Sequence, residues 1–392
     1  MATHTDQPLA TTARAIVEAC QGLVGFEATE TVEAGPIHVV ARIGFHRPDS
    51  LTVEYQTYAN PLLELEERLT GVAEYSSEEL VGLSLHFDGK KTWLYDASTG
   101  VCIVKPSRSL FEPLPDMPVL GEIDYLRDLP RDYLLRDLGQ ETVDGREARA
   151  LSLKPKHAHR THAFKMVAFL ARKATVAFDA ETLFPVRLSF SPAPSMQIHQ
   201  LLGSDGRVMV RYGGVRLTPD AAPPFVPPEG AHIFHEEQVA IDELAERVPF
   251  SLSLDPLDEV DYEPMDGHAL LAEEADRQRA YCAATFVHRD EGDGGRTPFV
   301  TLRAGNYLSR NMARRRKITS ESGEELAIGD QTARFLDRQK LWEELASGVD
   351  PSQAPRELSF ERGGVFWSLT GVNVERSVLE QLGSDLLSES AP

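Results

Sequence analysis

The sequence predicts an α+β protein of two domains, the larger one built on an antiparallel sheet. Three observations predict it. Apolar and polar residues alternate through several short runs, clearest in Ile37–Phe45 and Ser50–Thr57, the period of strands with one covered and one wet face. Asp-Gly pairs separate such runs at Asp88-Gly89 and Asp144-Gly145, a strong short-range hairpin signal. At 392 residues the chain is also longer than one hydrophobic core usually organises.

The elements follow in order. Residues 1–9 are polar and expected to be disordered. Thr11–Gly25 reads as a helix, capped by Thr11 or Thr12, with Ala15, Ile16, Ala19 and Leu23 at helical spacing. Phe26–Ala34 alternates weakly, and the turn residues Arg47-Pro48-Asp49 separate the two clearer strands after it. Leu83–Lys105 reads strand, turn, strand, turn, strand, with turns at Asp88-Gly89 and Ser98–Gly100. Pro106–Pro118 carries four prolines and is expected to be a loop. Gly121–Leu138 has a short helical pattern broken at Pro130, and strands resume around Asp144-Gly145. Thr175–Phe178 and Pro185–Phe190 are the arms of a hairpin whose turn is Asp179–Phe184. Arg207–Leu217 is a further strand, and Pro219–Pro228 a linker or a terminal strand.

The texture changes near Phe234, which divides a domain at 10–234 from a smaller α+β domain at 235–392. Val239–Arg247 is an amphipathic helix with Asp242 and Glu243 early in it. Asp261–His268 (DYEPMDGH) reads as a loop. The core of this part continues through Arg279–His288, Pro298–Ala304 and Glu324–Gly329. Glu357–Glu361 and Val365–Thr370 flank Arg362-Gly363-Gly364 as a hairpin, and Val374–Leu387 is a terminal helix with Val378, Leu379, Leu382 and Leu386 on one side.

Charge and cysteine usage narrow the function classes. A formal net charge of −21 opposes nucleic-acid binding, which needs a basic face to displace counterions, and opposes electrostatic docking on an anionic membrane. Cys20, Cys102 and Cys282 form no CxxC or Cys/His cluster; Cys20 and Cys102 read as buried apolar residues. No apolar run approaches the ~18 residues of a membrane span. The first twenty residues lack a basic region followed by an apolar one, so the chain is expected outside the cytoplasm, in the periplasm or cell envelope, if an export segment has been trimmed, and in the cytoplasm otherwise.

Three constellations bear on chemistry. His157, His159 and His162 resemble a metal loop, but no Cys or acidic partner completes a ligand set, so solvated histidines are expected and no metal or other cofactor. Arg310, Arg314, Arg315, Arg316 and Lys317 form the one dense basic run, a solvated face or a surface for an anionic head group or a peptide partner. Gly82-Leu83-Ser84-Leu85-His86 lacks the second glycine of a nucleophile elbow, and no phosphate-binding loop, dinucleotide fingerprint or HExxH motif occurs. No enzyme is expected.

The segments FDGKKTWLYDASTGVCIVKP at 87–106 and FDAETLFPVRLSFSP at 178–192, followed by VRYGGVRL at 210–217 and Phe225-Val226-Pro227-Pro228-Glu229-Gly230, resemble the LolA/LolB/RseB-like family of lipoprotein-carrier-type modules. The stretches after Ile241 and Glu357 are similar to a small domain of unknown function that follows such modules in envelope proteins. The resemblance covers about 10–230 and implies a curved antiparallel half-barrel with covering helices. It also implies non-catalytic binding of a lipid or an acylated protein, for transport or for envelope-stress sensing. Strand alternation then nominates pocket residues: Val39, Ala41, Ile43, Leu51, Val53, Tyr55, Leu85, Phe87, Trp93, Tyr95, Val176, Phe178, Leu188 and Phe190. The alternative is a regulatory or scaffold protein that binds another envelope protein and whose pocket is filled by its own side chains.

Overall fold

A computed structural model describes residues 6–47, 50–60, 80–106, 133–156, 171–192, 207–218, 225–254, 262–272, 278–289, 297–307, 310–329, 331–339 and 354–389. The chain divides into two compact units; the described residues of the first are 6–60, 80–94 and 133–226, and those of the second are 95–106 and 227–389.

Helix α1 (Asp6–Gly22) opens the chain. The strands that follow are β1 (Gly25–Ala34), β2 (Ile37–His46), β3 (Ser50–Ala59), β4 (Leu83–Asp88), β5 (Lys91–Asp96), β6 (Val101–Pro106), β7 (Tyr133–Val143), β8 (Arg146–Pro155), β9 (Ala171–Asp179), β10 (Pro185–Pro192) and β11 (Val208–Leu217). In the first unit nine of them pair antiparallel in the order β4-β3-β2-β1-β11-β10-β9-β8-β7. Register sets side chains in rows across one face. Phe26, Phe45, Leu51 and Phe87 form one row, and Ala28, Ile43, Val53 and Leu85 the next; all eight are buried. Ala13, Ile16 and Cys20 of α1, with Leu23 just after it, are buried as well; of the expected stripe Ile16 and Leu23 are buried, while Ala15 and Ala19 are partly exposed and Ala13 and Cys20 take their places. On the opposite face the Arg187–Glu141 ion pair, 2.6 Å apart, joins β10 to β7. Ala148, Ala150 and Ala177, buried beneath its span, share that face. Larger side chains there would block two long ones from meeting across two intervening strands.

Two expectations need correction. The helical pattern expected over Gly121–Leu138 fails in its described part: Tyr133–Leu138 lie in β7, paired with β8 from Tyr133↔Pro155 to Val143↔Arg146. A bulge between Asp137 and Gly139 shifts the register, and Gly139, at φ 94°, supplies the backbone that the bulge requires. Ladder pairing here overrides an i, i+4 pattern. Helix α1 also begins at Asp6, ahead of the expected start.

The second unit adds β12 (His232–Gln238), β13 (Tyr262–Ala272), β14 (Ala280–His288), β15 (Phe299–Gly305), β16 (Glu324–Ile328), β17 (Gln331–Asp337), β18 (Arg356–Arg362) and β19 (Val365–Val372). Their order is β6-β12-β13-β14-β15-β19-β18-β17-β16, with β6–β12 parallel and the rest antiparallel. Helices α2 (Ile241–Arg247), α3 (Arg310–Ser322) and α4 (Arg376–Glu389) accompany them. The core joins Phe286, Leu302, Leu358 and Leu369 from the sheet with Leu379, Leu382 and Leu386 of α4. Gly383 stands in the middle of α4 because a Cβ there would sit 2.5 Å from Leu358 Cδ2. The β18–β19 turn forms as expected, with Gly363 and Gly364 both at positive φ. The segment Asp261–His268 is corrected: from Tyr262 onward it is strand, with a bulge between Pro264 and Asp266 that accommodates the proline.

Candidate ligand cleft

The first unit carries a cleft of about 420 Å³ at the end of its sheet where α1 stops, within the size range of small-molecule sites. Its walls are the last turn of α1 (Ala19, Cys20, Gly22), the connection Leu23-Val24 with Gly25, the β9–β10 turn with Pro185, and Leu217-Thr218 after β11. Local structure fixes each wall. Arg47 holds the end of α1, donating from Nε to Leu23 O at 2.8 Å and from Nη2 to Cys20 O at 3.3 Å, a cation on the negative end of the helix dipole. Gly25 lets β1 enter here, since a Cβ would lie 2.8 Å from both Phe45 O and Thr218 Oγ1.

The β9–β10 turn is clasped by Asp179. Its Oδ1 accepts from Glu181 N (3.0 Å), Thr182 N (2.9 Å) and Thr182 Oγ1 (3.0 Å), and Thr182 Oγ1 in turn accepts from Phe184 N. Burial alone would raise the Asp179 carboxyl, but these bonds and Arg146 hold it below the usual range. The clasp forces Leu183 into left-handed backbone at φ 58°, which costs a residue with a Cβ roughly 1–2 kcal/mol. Leu183 lines the cleft, and Phe184 forms its floor, 4.9 Å from the Phe26 ring, which is 5.7 Å from Phe45.

None of the lining residues is charged. Val24 is 44% exposed and Leu217 45% exposed, so aliphatic surface stands open at the mouth. Burial pushes the Cys20 thiol up to about 11, against the opposing pull of Arg47; it is a neutral wall at physiological pH and no nucleophile.

None of the fourteen nominated pocket residues lines this cleft. Ala41, Ile43, Leu51, Val53, Tyr55, Leu85, Phe87, Val176, Phe178, Leu188 and Phe190 are buried. Val39, Trp93 and Tyr95 are partly exposed, and Tyr95 belongs to the second unit. Leu183, Phe184, Val24 and Leu217 were missed. The available signal was the Leu-Phe pair inside a turn, where polar residues are the rule.

The basic run is divided by its helix. Arg315 is 3% exposed and faces Glu357, which is fully buried, whereas Arg316 and Lys317 are exposed and Arg314 is half-buried. Arg315 therefore does not belong to a partner surface: Met312, Arg315 and Thr319 form the inward face of α3. Glu357 Oε2 lies 3.5 Å from both Arg315 and Arg338, and Oε1 accepts from Ser368 at 2.8 Å. Burial raises the Glu357 carboxyl, yet Arg315, Arg338, the Ser368 bond and Arg303 together hold the group below its ordinary value. Cys20, Cys102 and Cys282 are buried and in no disulfide, the burial being as expected for Cys20 and Cys102. His157, His159 and His162 lie outside the described residues. Among the described residues no cluster of His, Cys, Asp and Glu could hold a metal ion, and no helix is long and apolar enough to cross a membrane.

No protein-family model matches the sequence, and no curated protein matches it. Solved structures do. The chain is similar to the lipoprotein LppX of Mycobacterium tuberculosis at 15% identity and a TM-score of 0.34, over 56% of this chain and all of that one. LprF of Mycobacterium bovis gives 12% and 0.34, over 56% of this chain and 96% of that one. The Pseudomonas aeruginosa MucA/MucB complex structure gives 11% and 0.30, over 95% of each chain. The structures similar to this chain thus include a mycobacterial lipoprotein, a putative lipoprotein-sorting domain and MucB, consistent with the LolA/LolB/RseB-like module that its motifs resemble.

Proposed function

We propose that the first unit binds the apolar chain of a lipid, or the acyl chain of a lipoprotein, in the cleft between the end of α1 and the β9–β10 turn. Its role is non-catalytic, in transport or stress sensing at the cell envelope. The observation that carries this reading is an uncharged cleft whose mouth exposes Val24 and Leu217 and whose wall presents Leu183 on strained backbone. Strained residues concentrate at ligand clamps, and an aliphatic chain needs apolar wall without specific polar chemistry. At about 0.8 kcal/mol per buried methylene, ten methylenes yield roughly 8 kcal/mol, a micromolar affinity.

Native mass spectrometry tests it, on the protein as purified and after incubation with phospholipid and with a diacylated peptide. The expected result is a retained adduct of lipid mass that Leu217→Glu abolishes; position 217 is half-exposed, so the charge leaves the fold intact. A protein that stays free of adduct, or an adduct that Leu217→Glu leaves unchanged, would overturn the proposal.

A further inference from the structure

The cleft at the end of α1 limits its own ligand in two ways, by volume and by charge. We propose that it buries at most about fourteen carbons of a single acyl chain, and that the head group of this ligand carries no net negative charge. The inference rests on the lipid reading of the cleft and narrows it.

Volume sets the chain. A methylene takes up about as much room as a water molecule in the liquid, roughly 30 Å³, so 420 Å³ holds about fourteen of them. The cleft does not extend below its floor. Phe184 closes it, and the Phe26 and Tyr212 rings lie behind Phe184 at 4.9 and 5.8 Å. All three side chains are buried, and rings packed in this way leave no void for further methylenes. A second chain of the same length would double the volume required, so it stays outside.

Charge sets the head. An anion drawn to the mouth needs a cation or donors to replace its water, and the lining supplies no charged side chain. Thr182 Oγ1, one of two hydroxyls in the lining, already donates to Asp179. The wall formed by α1 is the last turn of that helix, the negative end of its dipole. Arg47 does not reverse the sign: its guanidinium is given to Cys20 O and Leu23 O, and it lies outside the lining. Arg216, next to Leu217, is matched by Glu27. Glu18 and Glu181, each the sequence neighbour of a lining residue, are exposed. These charges repel an anionic head and admit a neutral or zwitterionic one.

The test titrates the full chain by calorimetry with lysophosphatidylcholines of increasing chain length, each below its micelle concentration. Affinity is expected to rise about fourfold per methylene and to level off by about fourteen carbons. A two-chain phosphatidylcholine should gain less than about tenfold over the one-chain lipid of the same length. Lysophosphatidylglycerol, the anionic counterpart, should bind about fivefold more weakly at low salt. That gap should close in the double variant Glu18→Lys, Glu181→Lys, since both positions are exposed and reversing their charge leaves the fold intact. Affinity that keeps climbing fourfold per methylene beyond that length, a gain above tenfold from the second chain, or an anionic lipid bound as tightly as the zwitterionic one would each overturn the proposal and leave the lipid reading standing. If none of these lipids binds, both fall together.

Discussion

Replacing Glu30 with glutamine takes an ionisable group off the covered face of the first unit. Glu30 is 5% exposed. In the ladder it lies opposite Ala41 of β2 and Tyr212 of β11, and Ala41 in turn lies opposite Tyr55. Tyr212 Oη donates weakly to Glu30 Oε1, at 3.4 Å. Burial raises the carboxyl from 4.5 to about 8, with the Tyr212 bond pulling slightly the other way. The folded value therefore exceeds the unfolded one, so the stability linked to this proton is intact below pH 4.5 and is lost as pH rises from 4.5 through 8. At pH 7 the unfolded chain has been ionised over 2.5 units, at 1.36 kcal/mol each, a loss of about 3 kcal/mol. Glutamine keeps the shape and has no proton to lose.

The stability difference between Glu30→Gln and the parent should thus move by about 3 kcal/mol in favour of glutamine between pH 4.5 and pH 7. That swing does not depend on what the amide itself costs when buried. Chemical denaturation of both proteins across this range measures it. His86 must be removed from the comparison: burial lowers its ring to about 4, so folding stability falls as pH drops from 6.5 towards 4. It does so equally in both proteins and cancels in the difference. A gap that stays constant from pH 4.5 to 8 would refute the reasoning, for it would mean that Glu30 is ionised in the folded state at neutral pH.

Three further outcomes follow from the same geometry. Asp179→Ala removes the acceptor that clasps the β9–β10 turn and should cost about 2–3 kcal/mol in denaturant unfolding, with retained lipid falling in native mass spectrometry. Leu183→Gly relieves left-handed strain while deleting a cleft wall, so stability should stay within about 1 kcal/mol as lipid retention drops; a large destabilisation with unchanged retention would make Leu183 structural. Glu357→Gln removes the carboxylate that Arg315 and Arg338 share and should cost about 3–5 kcal/mol, read as a lower denaturation midpoint; a change under 1 kcal/mol would show that the two guanidiniums do not depend on it.

Many of the strands and their hairpin turns were legible, and the reasons are local. The turns at Asp144-Gly145 and Gly363-Gly364 require positive φ, which these residues supply cheaply, and both turns adopt it. Alternation marked Ile37–Phe45 and Pro185–Phe190 as strands because one face of each is covered. It failed at β7, where most of the strand stands open and neither face imposes a period of two. Leu134 and Leu138, four apart, are both exposed there, so their spacing carries no helical meaning.

The site was less legible for a related reason. Alternation tells which side chains share a face, not whether that face is sealed. Eleven of the fourteen residues it nominated are sealed, packed in rows that run from strand to strand, such as Leu51 of β3 between Phe45 of β2 and Phe87 of β4. An opening arises where rows stop. Here they stop where α1 ends, where β11 ends, and where Asp179 bends the chain so that a leucine faces outward. Each wall belongs to a different terminus of an element, and no periodic pattern extends over a terminus. What does survive there is local chemistry out of place: an Asp and a Thr three residues apart that can clasp a turn, followed by Leu-Phe where a turn would ordinarily carry polar residues. By the same logic the basic run misled. At helical spacing Arg315 shares a face with Met312 and Thr319, and that face is buried. Only the carboxylate of Glu357, forty-two residues later, determines that Arg315 turns inward.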